Sequence, residues 1–139
     1  MESNVRGNLH FLRLDRGEDV AASITAYCDE AGIRSAAVSG IGAIEDVEIG
    51  YYDLATRRYL KRRLEGIYEL IFLAGNITRV DGNAFMHAHV TLGARDFTVT
   101  GGHLFGGKIA VTGEIFITEA GMALTREMND EIGLKLISM

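Results

Sequence analysis

The chain has 139 residues, of which 47% are hydrophobic and 24% charged, and its formal net charge is −5 at pH 7. This length and composition indicate one domain over residues 1–139 and exclude a disordered chain, while the acidic balance argues against a protein that binds nucleic acid mainly through its phosphates. The absence of proline excludes a PxxP ligand, a collagen-like segment and a DNA-binding hook built on Gly-Arg-Pro.

The sequence predicts one helix and a series of strands. The helix covers residues 18–31, where apolar residues recur at helical spacing, acidic residues occupy the first turn and Gly32 follows the end. The strands are expected at 8–14, 35–44, 47–53, 59–64, 68–78, 84–92, 97–103, 109–118 and 122–127. Because the joins are short, neighbouring strands should pair antiparallel. The expected fold is therefore α+β, a large and mostly antiparallel sheet with one main helix packed on it.

The cysteine content and the hydropathy of the sequence predict the cellular compartment of the protein. The single cysteine, Cys28, excludes an intramolecular disulfide and suits a reducing compartment. The N-terminal stretch carries charges where a secretory signal needs an apolar core, and no uncharged apolar run approaches the roughly 18 residues of a membrane span. We therefore expect a soluble, cytoplasmic protein with no membrane partner.

Two histidines lie two residues apart in the predicted strand 84–92. Because side chains alternate across a strand, His87 and His89 project from the same face, about 7 Å apart along the strand. Both imidazoles could then bind one metal ion. The alternative is that these histidines line a solvated face or a subunit contact.

The next predicted strand supplies a third histidine, His103, directly after two glycines. In the register that pairs the apolar residues of the two strands, His103 lies on the opposite face from His87 and His89. An extra residue at Gly101-Gly102 would turn it back, and glycine pairs are common positions for such bulges. The alternative is a three-residue loop at 94–96. This loop sets His103 opposite His87, but it places apolar and polar side chains on the same face of the strand pair. We prefer the bulge and predict that the three imidazoles lie within metal-binding reach of one another.

Three neutral imidazoles suit zinc, and nickel, copper, iron and cobalt are also open. A set of three protein ligands leaves a fourth coordination position free, as in catalytic rather than structural zinc sites. The first candidate for the cofactor is therefore a divalent metal, with zinc ahead of the others.

The stretch from His87 to Glu114 resembles the signature of the plants-and-prokaryotes-conserved (PPC) domain family, because HxH, GGH and TGE follow one another in that order. Residues 39–53 and 68–77 are similar to the earlier strands of that family, and the resemblance spans residues 6–128. It implies an α+β sheet domain that assembles as a homotrimer. As in prokaryotic members of the family, it also implies a metal bound by His87, His89 and His103.

The same family is commonly described as DNA-binding, because its plant members join the domain to AT-hooks. Such a hook needs Arg-Gly-Arg-Pro, and this chain has no proline. DNA is therefore a disfavoured partner, and the net charge of −5 argues in the same direction.

One cluster of basic residues is the only patch in the sequence that suits phosphate contact. Five basic side chains occupy seven consecutive positions, namely Arg57, Arg58, Lys61, Arg62 and Arg63. A charged hairpin or sheet edge that resists edge-to-edge pairing explains them equally simply, and we favour that interpretation.

Two carboxylates, Glu69 and Glu114, lie inside predicted strands. Either could orient a ligand histidine, or transfer protons beside a metal-bound water. The simpler alternative is a paired carboxylate at a sheet edge or a trimer contact. No catalytic residue is assigned.

Two functions fit these features. The first is a homotrimeric binding or regulatory module with a three-histidine metal site, whose partner beyond its own copies would be another protein. The alternative is a zinc-type metalloenzyme that acts on a small molecule through an open coordination position. An enzyme requires an accessible cavity beside that position, whereas a structural metal predicts a closed site.

Overall fold

The computed structural model describes residues 1–138, which form eight strands and one helix. In chain order the elements are β1 (Glu2–Arg6), β2 (Leu9–Asp15), α1 (Val20–Glu30), β3 (Ala36–Asp53), β4 (Arg58–Val80), β5 (Asn83–Gly93), β6 (Val99–Glu119), β7 (Thr125–Asn129) and β8 (Leu134–Ser138). The strands pair antiparallel throughout the described residues, apart from one parallel bridge between Arg79 and Thr125. The expected α+β sheet with one main helix is confirmed in outline, as a mixed sheet.

Three of the strands are longer than expected, because residues that looked like turns are bulges within continuous strands. In β3 the register shifts around Asp46, whose φ is 54°, and the strand continues on both sides of it. In β4, Gly66 has a φ of 85° at the matching point. Bulges bend a strand without ending it, so that β3, β4 and β6 each join two of the predicted strands.

The central strands form a closed circuit. β3 pairs with both β4 and β6, and β5 also pairs with both β4 and β6. β1 and β2 extend the sheet from β6, while β7 and β8 form a hairpin, here called the C-terminal hairpin, beside β4. Neither β1 nor β8 was expected from the sequence. The circuit fixes β5 and β6, which carry the three histidines, against long and bent neighbours.

The helix α1 closes one side of the core. Asp19 caps its N-terminus by accepting a hydrogen bond from the backbone N–H of Ala22 at 2.9 Å, so the helix begins after Glu18 instead of including it. Val20, Ile24 and Cys28 are fully buried, and burial raises the pKa of the Cys28 thiol to about 12. No helix within residues 1–138 is long and apolar enough to cross a membrane.

Candidate metal centre

Three histidines converge on one face of the β5–β6 pair. His89 lies directly opposite His103, and His87 lies two residues before His89 on the same face. The ring centroids are 5.1 Å apart for His87 and His103, 5.2 Å for His87 and His89, and 5.6 Å for His89 and His103. Each residue offers one nitrogen, and these nitrogens all lie within 4.8 Å of one another. The predicted convergence of the three imidazoles is confirmed.

The route to this convergence differs from the expected one. The β5–β6 register runs without a shift from Gly93 opposite Val99 to His89 opposite His103, so the predicted bulge at Gly101-Gly102 is wrong. The alternative, with His103 opposite His87, is also wrong. The connecting loop covers residues 94–98 and is closed by a hydrogen bond from the N–H of residue 94 to the carbonyl of residue 98 at 2.9 Å.

The physical reason for this error is the exposure of two apolar side chains. Phe97 is 93% exposed and Val99 is 62% exposed. The expected register assumed that both pack against the buried residues of β5. Matching apolar residues across β5 and β6 therefore predicted a register that placed His103 on the wrong face of the strand pair.

The glycines next to the histidines allow close backbone approach. A Cβ atom on Gly101 would lie 2.3 Å from the carbonyl oxygen of Val90, and a Cβ atom on Gly75 would lie 2.4 Å from the carbonyl oxygen of His87. Real Cβ atoms do not approach oxygen so closely. These positions therefore require glycine for packing, which explains part of the high glycine content without a bulge.

The surroundings of His87 and His103 favour the neutral form of these two imidazoles. His103 is half-buried and packs against Tyr59 and Phe105, with ring centroids at 4.9 Å and 4.7 Å. Burial, followed by the proximity of His87 and His89, lowers the pKa of His103 to about 4. Burial, followed by the nearby guanidinium of Arg126, also lowers the pKa of His87. Neutral imidazole is the form that binds metal ions.

One nitrogen of the cluster has no protein partner. The Nδ1 atom of His103 is buried and forms no hydrogen bond with any described residue. An unsatisfied buried nitrogen of this kind costs about 1–3 kcal/mol. A metal ion bound within the cluster, or a polar ligand beside it, would give this region the polar contacts that the chain itself does not supply. The donor set and its protonation thus fit a divalent metal of the zinc type.

A cavity of about 490 Å³ adjoins the cluster, and His87 and His103 form part of its wall. Aromatic side chains, including Tyr59 and Phe105, supply much of the rest, and the C-terminal hairpin closes one side with Arg126 among its residues. The sequence analysis missed this wall because it predicted no strand after residue 127 and therefore no C-terminal hairpin. The local sign of a functional residue was Arg126, a basic side chain in the short strand predicted at 122–127.

The two predicted carboxylates lie elsewhere. Glu69 in β4 and Glu114 in β6 line a separate cavity of about 570 Å³ together with Ile41, Ile71 and Val111. No histidine lines that cavity among the described residues. The structure therefore brings Glu69 and Glu114 together with each other and not with the three imidazoles, and their role beside a metal stays a prediction.

The basic cluster at the start of β4 is divided by the geometry of the strand. Arg58 and Arg62 project from one face and Lys61 and Arg63 from the other, with Arg57 in the preceding turn. Lys61 pairs with Glu48 at 3.1 Å and Arg63 with Asp46 at 3.9 Å, while Arg57 donates a hydrogen bond to the carbonyl of Asp130. All five are exposed, but they do not form one uniform patch.

Comparison with known proteins identifies relatives of the same fold. The sequence profile of the Plants and Prokaryotes Conserved (PCC) domain matches residues 1–121. The metal-containing protein from Archaeoglobus fulgidus is 36% identical, with a TM-score of 0.89 over 99% of this chain and 97% of that one. The plant- and prokaryote-conserved (PPC) protein from Pyrococcus horikoshii is 34% identical, with a TM-score of 0.88 over 96% and 92%.

A candidate DNA-binding protein from Bacteroides thetaiotaomicron is 25% identical to this chain and has a TM-score of 0.95 over 99% of this chain and 96% of its own. No curated protein matches the chain. The solved relatives thus agree in fold over nearly the whole length.

Proposed function

Because the chain belongs to the Plants and Prokaryotes Conserved domain family, we propose that it is a homotrimeric module that binds a divalent metal through His87, His89 and His103. The observation that carries this proposal is the meeting of three imidazole nitrogens within 4.8 Å. The buried and unpartnered Nδ1 of His103 supports it, as does the metal-containing relative. We also propose one domain over residues 1–139, which is supported by an apolar cluster that joins α1 to the sheet and extends from Leu12 to Ile117.

Zinc is the first candidate for this metal. Imidazole is a good ligand for zinc, and three protein ligands leave room for one more. When bound, zinc would supply a Lewis-acid centre at which a small ligand could coordinate. The part played by the chain is to hold three imidazoles close together, which β5 and β6 do through one strand pairing.

An exposed apolar surface supports the proposed trimer. We call it the apolar face, and it consists of side chains that are between 47% and 93% exposed, namely Ile41, Ile67, Ile71, Phe97, Val99 and Val111. These residues line two adjoining cavities that share Glu69 and Ile71. An apolar surface of this kind usually marks an interface.

The apolar face also reaches toward the metal centre. Val99 pairs with Gly93 on the same face of the β5–β6 pair as His89. Neighbouring copies of the chain that cover Val99 would therefore come close to His89, the exposed member of the cluster. Glu69 and Glu114, which lie within this region, would then be carboxylates at a trimer contact.

A zinc enzyme is the second candidate, and the cavity beside His87 and His103 favours it. Catalysis on a small molecule needs such a space next to the metal. None of the described residues that line the cavity is acidic, however, so no carboxylate base is in place there. We therefore put binding of a small molecule before its chemical conversion, and a regulatory protein remains the partner proposed for the trimer.

Direct DNA binding has weaker support. Relatives of this chain include candidate DNA-binding proteins, but two of the five basic residues near the start of β4 are paired with carboxylates. The net charge of −5 also opposes contact with phosphates. We therefore leave DNA out of the proposed function.

Metal analysis tests the proposal most directly. Protein purified without an affinity tag should contain about one zinc ion per chain, while a His87→Ala/His89→Ala variant should contain almost none. His10→Gln is the matched control, because His10 is the remaining histidine and bonds to Tyr27 and Glu119 at a distance from the cluster. Equal metal content in the wild type and the double variant would overturn the metal site.

A further inference from the structure

Arg126 of the C-terminal hairpin is fixed in place by neutral groups. Its Nε donates a hydrogen bond to the hydroxyl of Thr78 at 2.9 Å, and its Nη2 donates one to the side-chain oxygen of Asn76 at 2.9 Å. Its Nη1 donates a third to the backbone carbonyl of Lys135 at 3.0 Å. The guanidinium is thus held by three oxygens, none of which carries a charge.

The guanidinium has hydrogen-bond capacity left over. Of the five N–H groups of an arginine, three are used by these oxygens. Nη2 donates a fourth, long hydrogen bond of 3.5 Å to Nδ1 of His87, so that one N–H group on Nη1 remains without an acceptor among the described residues. Arg126 therefore keeps one free donor on Nη1 and is joined to the histidine cluster through Nη2.

Arg126 differs from the other cations near the cavity in lacking an acidic partner. Lys61 pairs with Glu48 at 3.1 Å, and Lys135 lies 3.6 Å from Asp81. Within residues 1–138 no carboxylate forms an ion pair with Arg126, and none of the described lining residues is acidic. In an acidic chain, this cavity has a positive charge that no carboxylate of residues 1–138 balances through an ion pair.

We propose that the cavity binds the carboxylate of a small apolar molecule, with the carboxylate on Arg126 and the apolar body against Tyr59, Phe85 and Phe105. The inference rests on the proposed function, because a divalent metal beside Arg126 would add positive charge that only an anion can offset. The free N–H group of this arginine can donate a charge-assisted hydrogen bond to a carboxylate oxygen.

The walls of the cavity select a carboxylate over a phosphate. Apart from the histidines, Arg126 and Lys135, the described lining is dominated by aliphatic and aromatic side chains, including Leu134 and Leu136. A phosphate carries more charge and more oxygens than the one free N–H group of Arg126 can satisfy, and oxygens left without donors against an apolar wall are costly. A carboxylate with a hydrocarbon body matches both parts of the lining.

The experiment measures the affinity of the zinc-loaded protein for 2-naphthoate by isothermal titration calorimetry. The comparison ligands are 2-naphthamide, which has the same shape without the charge, and inorganic phosphate. Two variants weaken the proposed contact by different means. Arg126→Lys keeps the charge but loses the fixed N–H donor of the guanidinium, and Met128→Glu adds a carboxylate at an exposed position that lines the cavity. Met122→Glu makes the same change at an exposed methionine outside the cavity lining.

We expect 2-naphthoate to bind at least about tenfold more tightly than 2-naphthamide, since a charge-assisted hydrogen bond is lost with the charge. Arg126→Lys and Met128→Glu should each weaken 2-naphthoate by about tenfold or more, and Met122→Glu should leave its affinity within about twofold. Equal affinities for the acid and the amide, equal affinities in the two glutamate variants, or displacement of 2-naphthoate by equimolar phosphate would each overturn the inference.

The zinc content of every sample separates this inference from the proposed function. Full zinc content with no preference for the carboxylate would contradict the ligand class and leave the metal site standing. Protein that takes up no zinc but still prefers 2-naphthoate in an Arg126-dependent way would contradict the metal site and support the carboxylate cavity.

Discussion

His89 and His103 are direct partners across β5 and β6, and their imidazole centroids lie 5.6 Å apart. His87 joins them because it lies on the same face of β5, two residues before His89. The candidate metal-binding group thus depends on the register of a single strand pair. A shift of one residue in that register would turn His103 to the opposite face.

A methyl group at Gly101 should disturb this register. The Cβ atom of a Gly101→Ala variant would lie 2.3 Å from the carbonyl oxygen of Val90, so β6 must move away from β5. We expect the free energy of unfolding to fall by about 1–3 kcal/mol, together with a loss of zinc binding. Gly106→Ala is the matched control, because its nearest contact would be an ordinary 3.7 Å. Similar stability and zinc content in both variants in urea unfolding and metal analysis would contradict the close approach.

The stability of the metal-free protein should depend on pH through His103. Burial holds its pKa at about 4 in the folded protein, compared with about 6.5 in the unfolded chain. Between these values the unfolded chain binds a proton that the folded protein does not. The free energy of unfolding should therefore rise with pH from about 4 to about 6.5 and gain nothing further from this group above that range.

Urea unfolding of chelator-treated protein at a series of pH values checks this dependence. The lowered pKa of His87 acts in the same direction, so the slope should be reduced but not abolished in His103→Asn. If the wild type and His103→Asn give parallel curves, His103 does not titrate as the burial indicates.

Zinc should stabilise the folded protein by binding it in preference to the unfolded chain. At a free zinc concentration of about 100 times the dissociation constant, the expected gain is about 2.7 kcal/mol, provided that the unfolded chain binds zinc weakly. Magnesium should have little effect, since it prefers oxygen ligands. Thermal unfolding with each metal measures this effect, and an equal rise in melting temperature for the His87→Ala/His89→Ala variant would count against the three-histidine site.

Charges on the apolar face should prevent assembly. A Phe97→Glu/Val99→Glu variant places two carboxylates where the wild type has side chains that are 93% and 62% exposed. If copies of the chain cover this face, burying those charges is too costly and the trimer should dissociate. Light scattering coupled to size-exclusion chromatography should then give the 15.2 kDa mass of a single chain instead of three times that mass. Met122→Glu, with the same type of change elsewhere, should remain trimeric, and an unchanged mass for the double variant would place the interface on another surface.

Local patterns predicted much of the fold and the identity of the three histidines. Alternation along β5 placed His87 and His89 on one face, and the periodicity of residues 18–31 indicated α1. The sequence did not indicate that β3 continues past Asp46 or β4 past Gly66, because a residue with positive φ looks the same in a bulge as in a turn. Long-range pairing decides between the two.

The register of β6 and the cavity wall could not be predicted from the sequence, for a different reason. Phe97 and Val99 were assigned to the core on hydrophobicity alone, although an apolar side chain can equally well lie on an exposed interface. Arg126 meets Asn76 and Thr78 only because the C-terminal hairpin folds back beside β4. Contacts between residues about 50 positions apart leave no local signal.

The C-terminal hairpin lies beyond residue 121, where the family match ends. It nevertheless supplies Arg126, Met128 and Leu136 to the cavity, while the histidines come from strands inside the matched region. Substitutions in the hairpin can therefore alter the lining of the cavity without touching the three histidines proposed to bind the metal. If the proposed metal and ligand are bound, metal affinity and ligand choice can evolve separately, and two relatives with the same histidines need not share a ligand.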